Sequence, residues 1–554
     1  MARALCGRAQ VRGRPGRAHA SGERSAVPAV RAPSHRLTSG RGTGRTFGIV
    51  PAGGSRLSPP PSRPRILVAV LAIVAVGLAI LMLERARAGI ERTPMMIGTT
   101  PATLYRAAGG PEAPLAVVTH GFGGSRQMME AISLTLARAG MAVVSFDFHG
   151  QGRSVTPMSP DAFPNEQGSS GTTVQLVRQT LEVVEAARAL PGVAGPPALI
   201  GHSMATDILV RTADRLPAVG PVALISAYSR EVTPETPARL LILSGQREGG
   251  LREVALEMVR QVAPEAAEGE TVEAGPVERR AAVAPLVGHA GVLWSPTTLR
   301  EIRDWMAPDR AAPVAATGPW ILLLLAGLVA LVWPAAALLP DRGKHGPEPG
   351  WRLFLVLIAA PALPAALLSL NLGASVLGLA GIGRIALFFG VWGVIQLGLL
   401  AHYRGLDRRV NLPALAVLLA GSLVFALAMD RYAAAFLPTG PRLPLMGLLA
   451  LGTLPFMLAH AHLAHRARLW RRLLLALAPL LALGGAIAAE PERLGLSFTV
   501  LPVFLLFLLV FGTMGRWIAR VTGPATVGLG LGLMLAWSIA ASTPLFGAAS
   551  RMVF

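Results

Sequence analysis

"ALIGHSMATD", residues 198–207, is a short apolar run that breaks at Gly201-His202-Ser203-Met204-Ala205 and then turns amphipathic. A buried strand followed at once by a helix, with a serine at the junction, needs small residues on either side of that serine. Gly201 and Ala205 supply them. Such a turn lifts the Ser203 hydroxyl clear of the strand end, where another molecule can reach it.

The same alternation continues in both directions. Apolar runs at 115–119, 142–146, 198–201, 222–226 and 240–244 read as strands. Amphipathic stretches at 127–139, 174–190, 207–216 and 251–262 read as helices between them. Strand, helix, strand at this spacing predicts a mostly parallel sheet with helices on both faces, spanning residues 92–308.

The flanks are different. The chain has 554 residues, 52% of them hydrophobic and only 15% charged, and its mean hydropathy is +0.52. The apolar excess lies after residue 318. Eight segments centred near 329, 362, 390, 421, 453, 481, 505 and 536 predict an all-α polytopic transmembrane domain over residues 319–548. Residues 66–83, "ILVAVLAIVAVGLAILML", carry no charge and are just long enough to cross the hydrocarbon. With its flanks this run predicts a retained anchor over residues 65–84. No small-x-small cleavage site marks it as a removed leader.

Charge orients these helices. Loops after the first, third, fifth and seventh C-terminal helices hold Arg342, Lys344, Arg352, Arg404, Arg408, Arg409, Arg466, Arg468, Arg471, Arg472, Arg516 and Arg520. The opposite loops and the C-terminus hold Arg431, Arg442, Arg493 and Arg551. The positive-inside rule puts the first set in the cytoplasm, and residues 92–308 outside it. The first 65 residues agree, with 13 arginines against one acid, Glu23. This tail, residues 1–64, has the composition of a disordered segment. A bacterial inner (plasma) membrane protein with an extracytoplasmic domain is the expectation. No aromatic pattern or fold motif accompanies the basic charge, so nucleic acid is not an expected partner. Cys6 is the only cysteine, which excludes an internal disulfide and a cysteine-based metal site.

Acyl transfer to serine requires a base for the hydroxyl, an acid to orient the base, and donors for the oxyanion. Each requirement has a candidate. Ser203 is the nucleophile. Glu248, just past the strand run "LLILSG", is the acid; Glu253 and Asp207 are worse placed. His289 in "PLVGHAGVLWSP", between an apolar run and a helical stretch at 297–306, is the base. The N–H of Met204, at the helix start, and that of Phe122, in "HGFGGS" (120–125), are the oxyanion donors. Three further histidines, in "HAHLAH" (460–465), do not share one helix face. They read as interfacial polar residues, so no metal is expected.

With these residues in order, residues 92–308 resemble the α/β-hydrolase superfamily, in the branch of esterases, monoglyceride-lipase-like enzymes and serine aminopeptidase-like proteins. The resemblance rests on "THGFGGS", "FDFHGQGRS" (146–154), "GHSMA", "GQRE" and "GHAG". It implies Ser203 as nucleophile, His289 as base and Glu248 as acid, with no cofactor. The departures are Ala205, and glutamate where aspartate is commoner. Family members usually insert a helical lid after the sixth strand. Here "AYSREVTPETPAR" (227–239) is too short for one, so the site should be open, or roofed by the membrane domain or the bilayer. The expectation is a membrane-anchored serine hydrolase acting on an acyl ester at the bilayer. Two alternatives stand beside it: acyl transfer to an acceptor other than water, and a transport or sensing bundle with a regulatory hydrolase-like domain. The sequence does not fix the oligomeric state.

Overall fold

The computed structural model describes residues 62–109, 112–161, 171–339, 349–372 and 381–547. The arginine-rich tail up to residue 61, and Arg342, Lys344 and Arg551, lie outside the described residues. The chain opens on helix α1 (Arg63–Arg87), which has a proline in its first turn and Arg85 and Arg87 in its last. Both ends suit the helix: proline needs no amide partner at the start, and cations meet the carbonyl end.

Nine strands then form one sheet: β1 (Ile90–Ile97), β2 (Thr100–Ala107), β3 (Ala113–Thr119), β4 (Ala142–Phe146), β5 (Val193–His202), β6 (Val222–Ile225), β7 (Arg239–Gly245), β8 (Thr271–Ala274) and β9 (Val277–Ala284). Their order is β1-β2-β4-β3-β5-β6-β7-β9-β8. From β4 to β9 neighbours run parallel; β1, β2 and β8 pair antiparallel at the margins. Parallel neighbours need crossovers, and helices α2 (Glu130–Arg138), α3 (Thr172–Arg188), α4 (Met204–Ala213), α5 (Gly249–Arg260) and α6 (Pro296–Met306) lie between and after the strands.

The inner strands read as continuous apolar runs because both their faces are covered. Leu115, Val117, Leu199, Leu240 and Ile242 pack with α3, α4 and α5 on one side. Ala116, Val118, Ile200, Leu241 and Leu243 pack with α2 and α6 on the other. The five strands expected from sequence are all present. Four were not anticipated. β1 is an edge strand with Pro94 and mostly exposed side chains, so it carries little alternation. β9, "VERRAAVA", is polar by letter, yet its Arg279 is fully buried, donating to the carbonyls of Met258 and Thr233 and to Gln261.

After the sheet come α7 (Gly318–Ala336), α8 (Trp351–Ala359), α9 (Ala362–Leu372), α10 (Ile382–Tyr403), α11 (Leu412–Tyr432), α12 (Arg442–Ala464), α13 (Leu469–Ala489), the one-turn α14 (Pro491–Leu494), α15 (Val500–Thr522) and α16 (Pro524–Ser542). Among the described residues nine helical spans, α1 and eight after the sheet, are long and apolar enough to cross a membrane. The second of the eight is two helices, α8 and α9, broken where Pro361 cannot continue the first. Arg384, which falls within an apolar segment of the sequence, sits in the first turn of α10 and donates to the Leu370 carbonyl.

Small residues let these helices approach. A Cβ on Gly452 of α12 would lie 2.0 Å from the Ala386 carbonyl oxygen of α10, and one on Gly393 would lie 2.2 Å from the Phe456 amide nitrogen. Such close backbone contact gives apolar helices van der Waals cohesion that bulkier residues would forbid. α1 packs on α7 in the same way, Gly327 facing Val76 and Ala72.

The sheet domain sits on one end of this bundle. Arg87 at the end of α1 pairs with Glu130 of α2 at 2.6 Å. Arg153 pairs with Asp430 of α11, and the Ser125 hydroxyl accepts from the Ala435 amide. Arg442, the first residue of α12, is fully buried and donates to the carbonyls of Ser154 (3.1 Å) and Gly150 (2.9 Å). As the helices alternate in direction, the loops holding Arg404, Arg408, Arg409, Arg466 and Arg468 fall at the other end.

Gly452→Ala should therefore destabilise the protein by about 1–3 kcal/mol, whereas Gly447→Ala, with nothing within 4 Å of the added carbon, should be close to neutral. Melting of the two variants in detergent against the parent checks this. Equal melting would show that the α10–α12 contact is not tight.

Candidate active site

β3 to β7 all end at the same edge of the sheet, and the turns beyond their ends converge there. Ser203 succeeds β5 with φ 53° and ψ −119°. A left-handed backbone at a residue with a side chain costs roughly 1–3 kcal/mol and persists only where its surroundings impose it. The imposition is local. A Cβ on Gly201 would meet Leu209, Ala205 and Thr119 at 2.7–3.0 Å, so the strand and α4 touch at that glycine. Ala205, fully buried, fits because Gly201 has no side chain.

His289 lies in the turn between β9 and a short 3-10 turn (Gly291–Trp294). Its Nε2 is 2.9 Å from Ser203 Oγ and its Nδ1 is 2.6 Å from Glu248 Oε1. With the carboxylate on Nδ1, the proton belongs there and Nε2 is free to accept from the hydroxyl. Glu248 immediately precedes α5 and is buried, while the His289 side chain is half exposed. The other carboxylate oxygen accepts from the Gly245 amide at 2.6 Å and from the Ser226 hydroxyl at 2.9 Å. Burial pushes the Glu248 carboxyl up. The bonds from His289, Gly245 and Ser226 outweigh this and hold it below its ordinary value.

The three residues selected from sequence thus lie in one hydrogen-bonded line. The other two acids lie elsewhere. Asp207 pairs with Arg211 and accepts from Ser229, and Glu253 is exposed on α5. Met204 begins α4, whose first-turn amides have no partner within the helix. Phe122 lies in a turn that closes on itself: Gly124 N–H donates to Gly121 O, and Gly123 N–H to Gln151 Oε1 at 2.6 Å. Gly121 packs against the elbow so closely that a Cβ there would lie 3.0 Å from that of Ser203.

Four supporting residues escaped the sequence reading. Asp147, fully buried after β4, accepts from the backbone amides of Arg126 and Arg153 and pairs with the Arg126 guanidinium, tying the β3 and β4 loops together. His120 accepts from the Phe148 amide at 3.1 Å. His202, pushed down to about 4 by burial and the neighbouring His289, donates as a neutral ring to the His289 carbonyl at 2.9 Å. Ser226, with φ 53°, holds Glu248. "FDFHGQG" contained the signal for Asp147. Nothing local in the sequence marks Ser226, whose role depends on β6 lying beside β7.

No helix covers the site from residues 227–239. Instead, Phe498 of the C-terminal helical portion stacks on Phe122 (ring centroids 5.9 Å apart, 18° between planes), and Phe546 lies 6.1 Å away. Of the three histidines of "HAHLAH", His462 bonds to the carbonyls of Leu458 and Asp407. Among the described residues no group of three potential metal ligands converges.

A mostly parallel sheet with an elbow serine at its carboxyl edge is the α/β-hydrolase fold. Residues 111–270 match the family model for serine aminopeptidase, S33. Among solved structures, the chain is similar to a dienelactone hydrolase from Anabaena variabilis (14% identity, 39% of this chain, 97% of that one, TM-score 0.29). It is similar to a proline iminopeptidase-related protein from Thermus thermophilus (18%, 40% and 99%, TM-score 0.29). An epoxide hydrolase from Vigna radiata is matched over 41% of its own length and 25% of this chain (16%, TM-score 0.20). No curated protein matches the chain.

Because folding lowers the Glu248 pKa, the ionised carboxylate stabilises the native state above the unfolded value of about 4.3. That increment is lost as pH falls through the lower folded value. The melting difference between the parent and Glu248→Gln should accordingly shrink on acidification below about pH 4. A difference independent of pH would mean that the hydrogen bonds to Glu248 do not favour its charged form.

Proposed function

We propose that this protein is a membrane-anchored serine hydrolase that cleaves an acyl ester through an acyl-enzyme. The observation that carries the reading is the unbroken line Ser203 Oγ, His289 Nε2, His289 Nδ1, Glu248 Oε1 at hydrogen-bond distances. His289 takes the Ser203 proton as the Oγ attacks the ester carbonyl carbon. Glu248 holds the ring and stabilises the imidazolium that forms. The amides of Met204 and Phe122 receive the oxyanion. Collapse expels the alcohol, which takes the proton from His289. Water, deprotonated by the same ring, then releases the acid and frees Ser203.

A lipid-like acyl group suits the surroundings. The oxyanion loop is capped by Phe498 and Phe546 rather than by a lid. An apolar cavity of about 660 Å³ between α7, α11, α15 and α16 reaches Gly123, Gly124 and Ser125 of that loop. We place the sheet domain outside the cytoplasm, because it sits at the bundle end opposite the arginine-bearing loops.

Membranes from cells expressing the full chain should label with a fluorophosphonate probe, and Ser203→Ala should abolish the signal. Glu248→Gln should lower kcat on a short-chain nitrophenyl ester by roughly 10³–10⁴-fold. Labelling that survives in Ser203→Ala, or a folded parent that never labels, would overturn the reading.

A further inference from the structure

The end of the bundle away from the sheet domain carries a second feature. A crevice of about 550 Å³ opens between the end of α12, the start of α13, the end of α15 and the start of α16. Its rim holds Arg466, Arg472, Arg516 and Arg520, and no carboxylate lines it. Its walls are apolar, built from Leu473, Leu508 and Leu531 among others.

Among the described residues the arginines have no counter-charge of their own. Among the described residues none of the four forms a salt bridge; Arg516 donates to Thr513 at 2.8 Å, and Arg472 Nε is buried without a hydrogen-bond partner. Arg472 and Arg520 both act on Arg516 as like charges. Depth makes the arrangement costly. At 1.5 Å per residue Arg516 lies about 9 Å inside the end of α15 at Thr522. An exposed guanidinium at that level is expensive in hydrocarbon unless it reaches an anion.

We infer that this crevice binds an anionic phospholipid, its phosphate held by Arg472, Arg516 and Arg520 and an acyl chain lying along the leucine wall. Guanidinium forks match phosphate oxygens in pairs. Basic pockets between membrane helices take lipid headgroups of this charge. The same fork chemistry would serve a free phosphate; the apolar walls select the lipid. The inference is independent of the hydrolase reading, since no residue of the crevice touches the Ser203 site.

Native mass spectrometry of the full-length protein from detergent tests it, titrating phosphatidylglycerol and phosphatidylcholine of identical chains, and inorganic phosphate. Phosphatidylglycerol should bind at least tenfold more tightly than phosphatidylcholine. Arg516→Gln/Arg520→Gln should weaken it by roughly 30-fold, at about fivefold per arginine, and Arg404→Gln, at the same bundle end but outside the crevice, should not. Should the double variant fail to elute as a folded particle, Arg472→Gln carries the same test with about a fivefold loss. Equal binding of the two lipids, or binding untouched by the crevice variants, would overturn the proposal. Displacement of phosphatidylglycerol by millimolar inorganic phosphate would overturn the lipid as occupant and assign the site to a soluble anion.

Discussion

The guanidinium of Arg442 is the contact on which the assembly of the two halves turns. It sits at the first residue of the apolar helix α12, fully buried, and donates to the carbonyls of Gly150 and Ser154 in the loop after β4. A buried cation without anchoring acceptors is costly, so the loop and the helix hold each other. That loop in turn contains Gln151, whose side chain accepts from the Gly123 amide in the turn after β3. Two hydrogen-bonded steps thus join α12 to the backbone beside Ser203. Arg153 with Asp430 and the Ser125 hydroxyl with Ala435 add parallel ties along the same seam.

This seam explains how a short connection after β6 can suffice. A lid shields a reacting acyl group from water and shapes its pocket. Here the aromatic cover comes from Phe498 and Phe546, supplied by chain far beyond the sheet domain. The cover is held by segments between and after the helices: Phe498 lies in the 3-10 turn before α15, and Phe546 bridges to Met158 beyond α16.

Most of the sheet was legible because its inner strands are buried on both faces, and burial writes itself as apolar letters. The residues of the serine, histidine and glutamate line were legible for a related reason. Each stands at a strand end or its following turn, where small residues punctuate the sequence. β1, β2, β8 and β9 were not: the edge strands β1 and β8 expose most of their side chains, β2 mixes polar and apolar letters without alternation, and β9 buries an arginine. The supports of the site were harder still. Ser226 and His202 act through neighbours that only strand order brings together, and the Phe122–Phe498 stack joins residues from separate halves of the chain. The break between α8 and α9 was hidden inside an apolar run whose prolines a membrane helix can absorb.

The sheet domain is an insertion between α1 and α7, and those two helices pack against each other through Gly327. Its two ends therefore leave the bundle side by side, like the two ends of a loop pinched at its base. A single proteolytic nick on either side would leave it tethered by the other helix, so release from the helical bundle requires two cuts. The same geometry imposes an order on biosynthesis. α1 must wait without its packing partner until the whole domain and then α7 have been made.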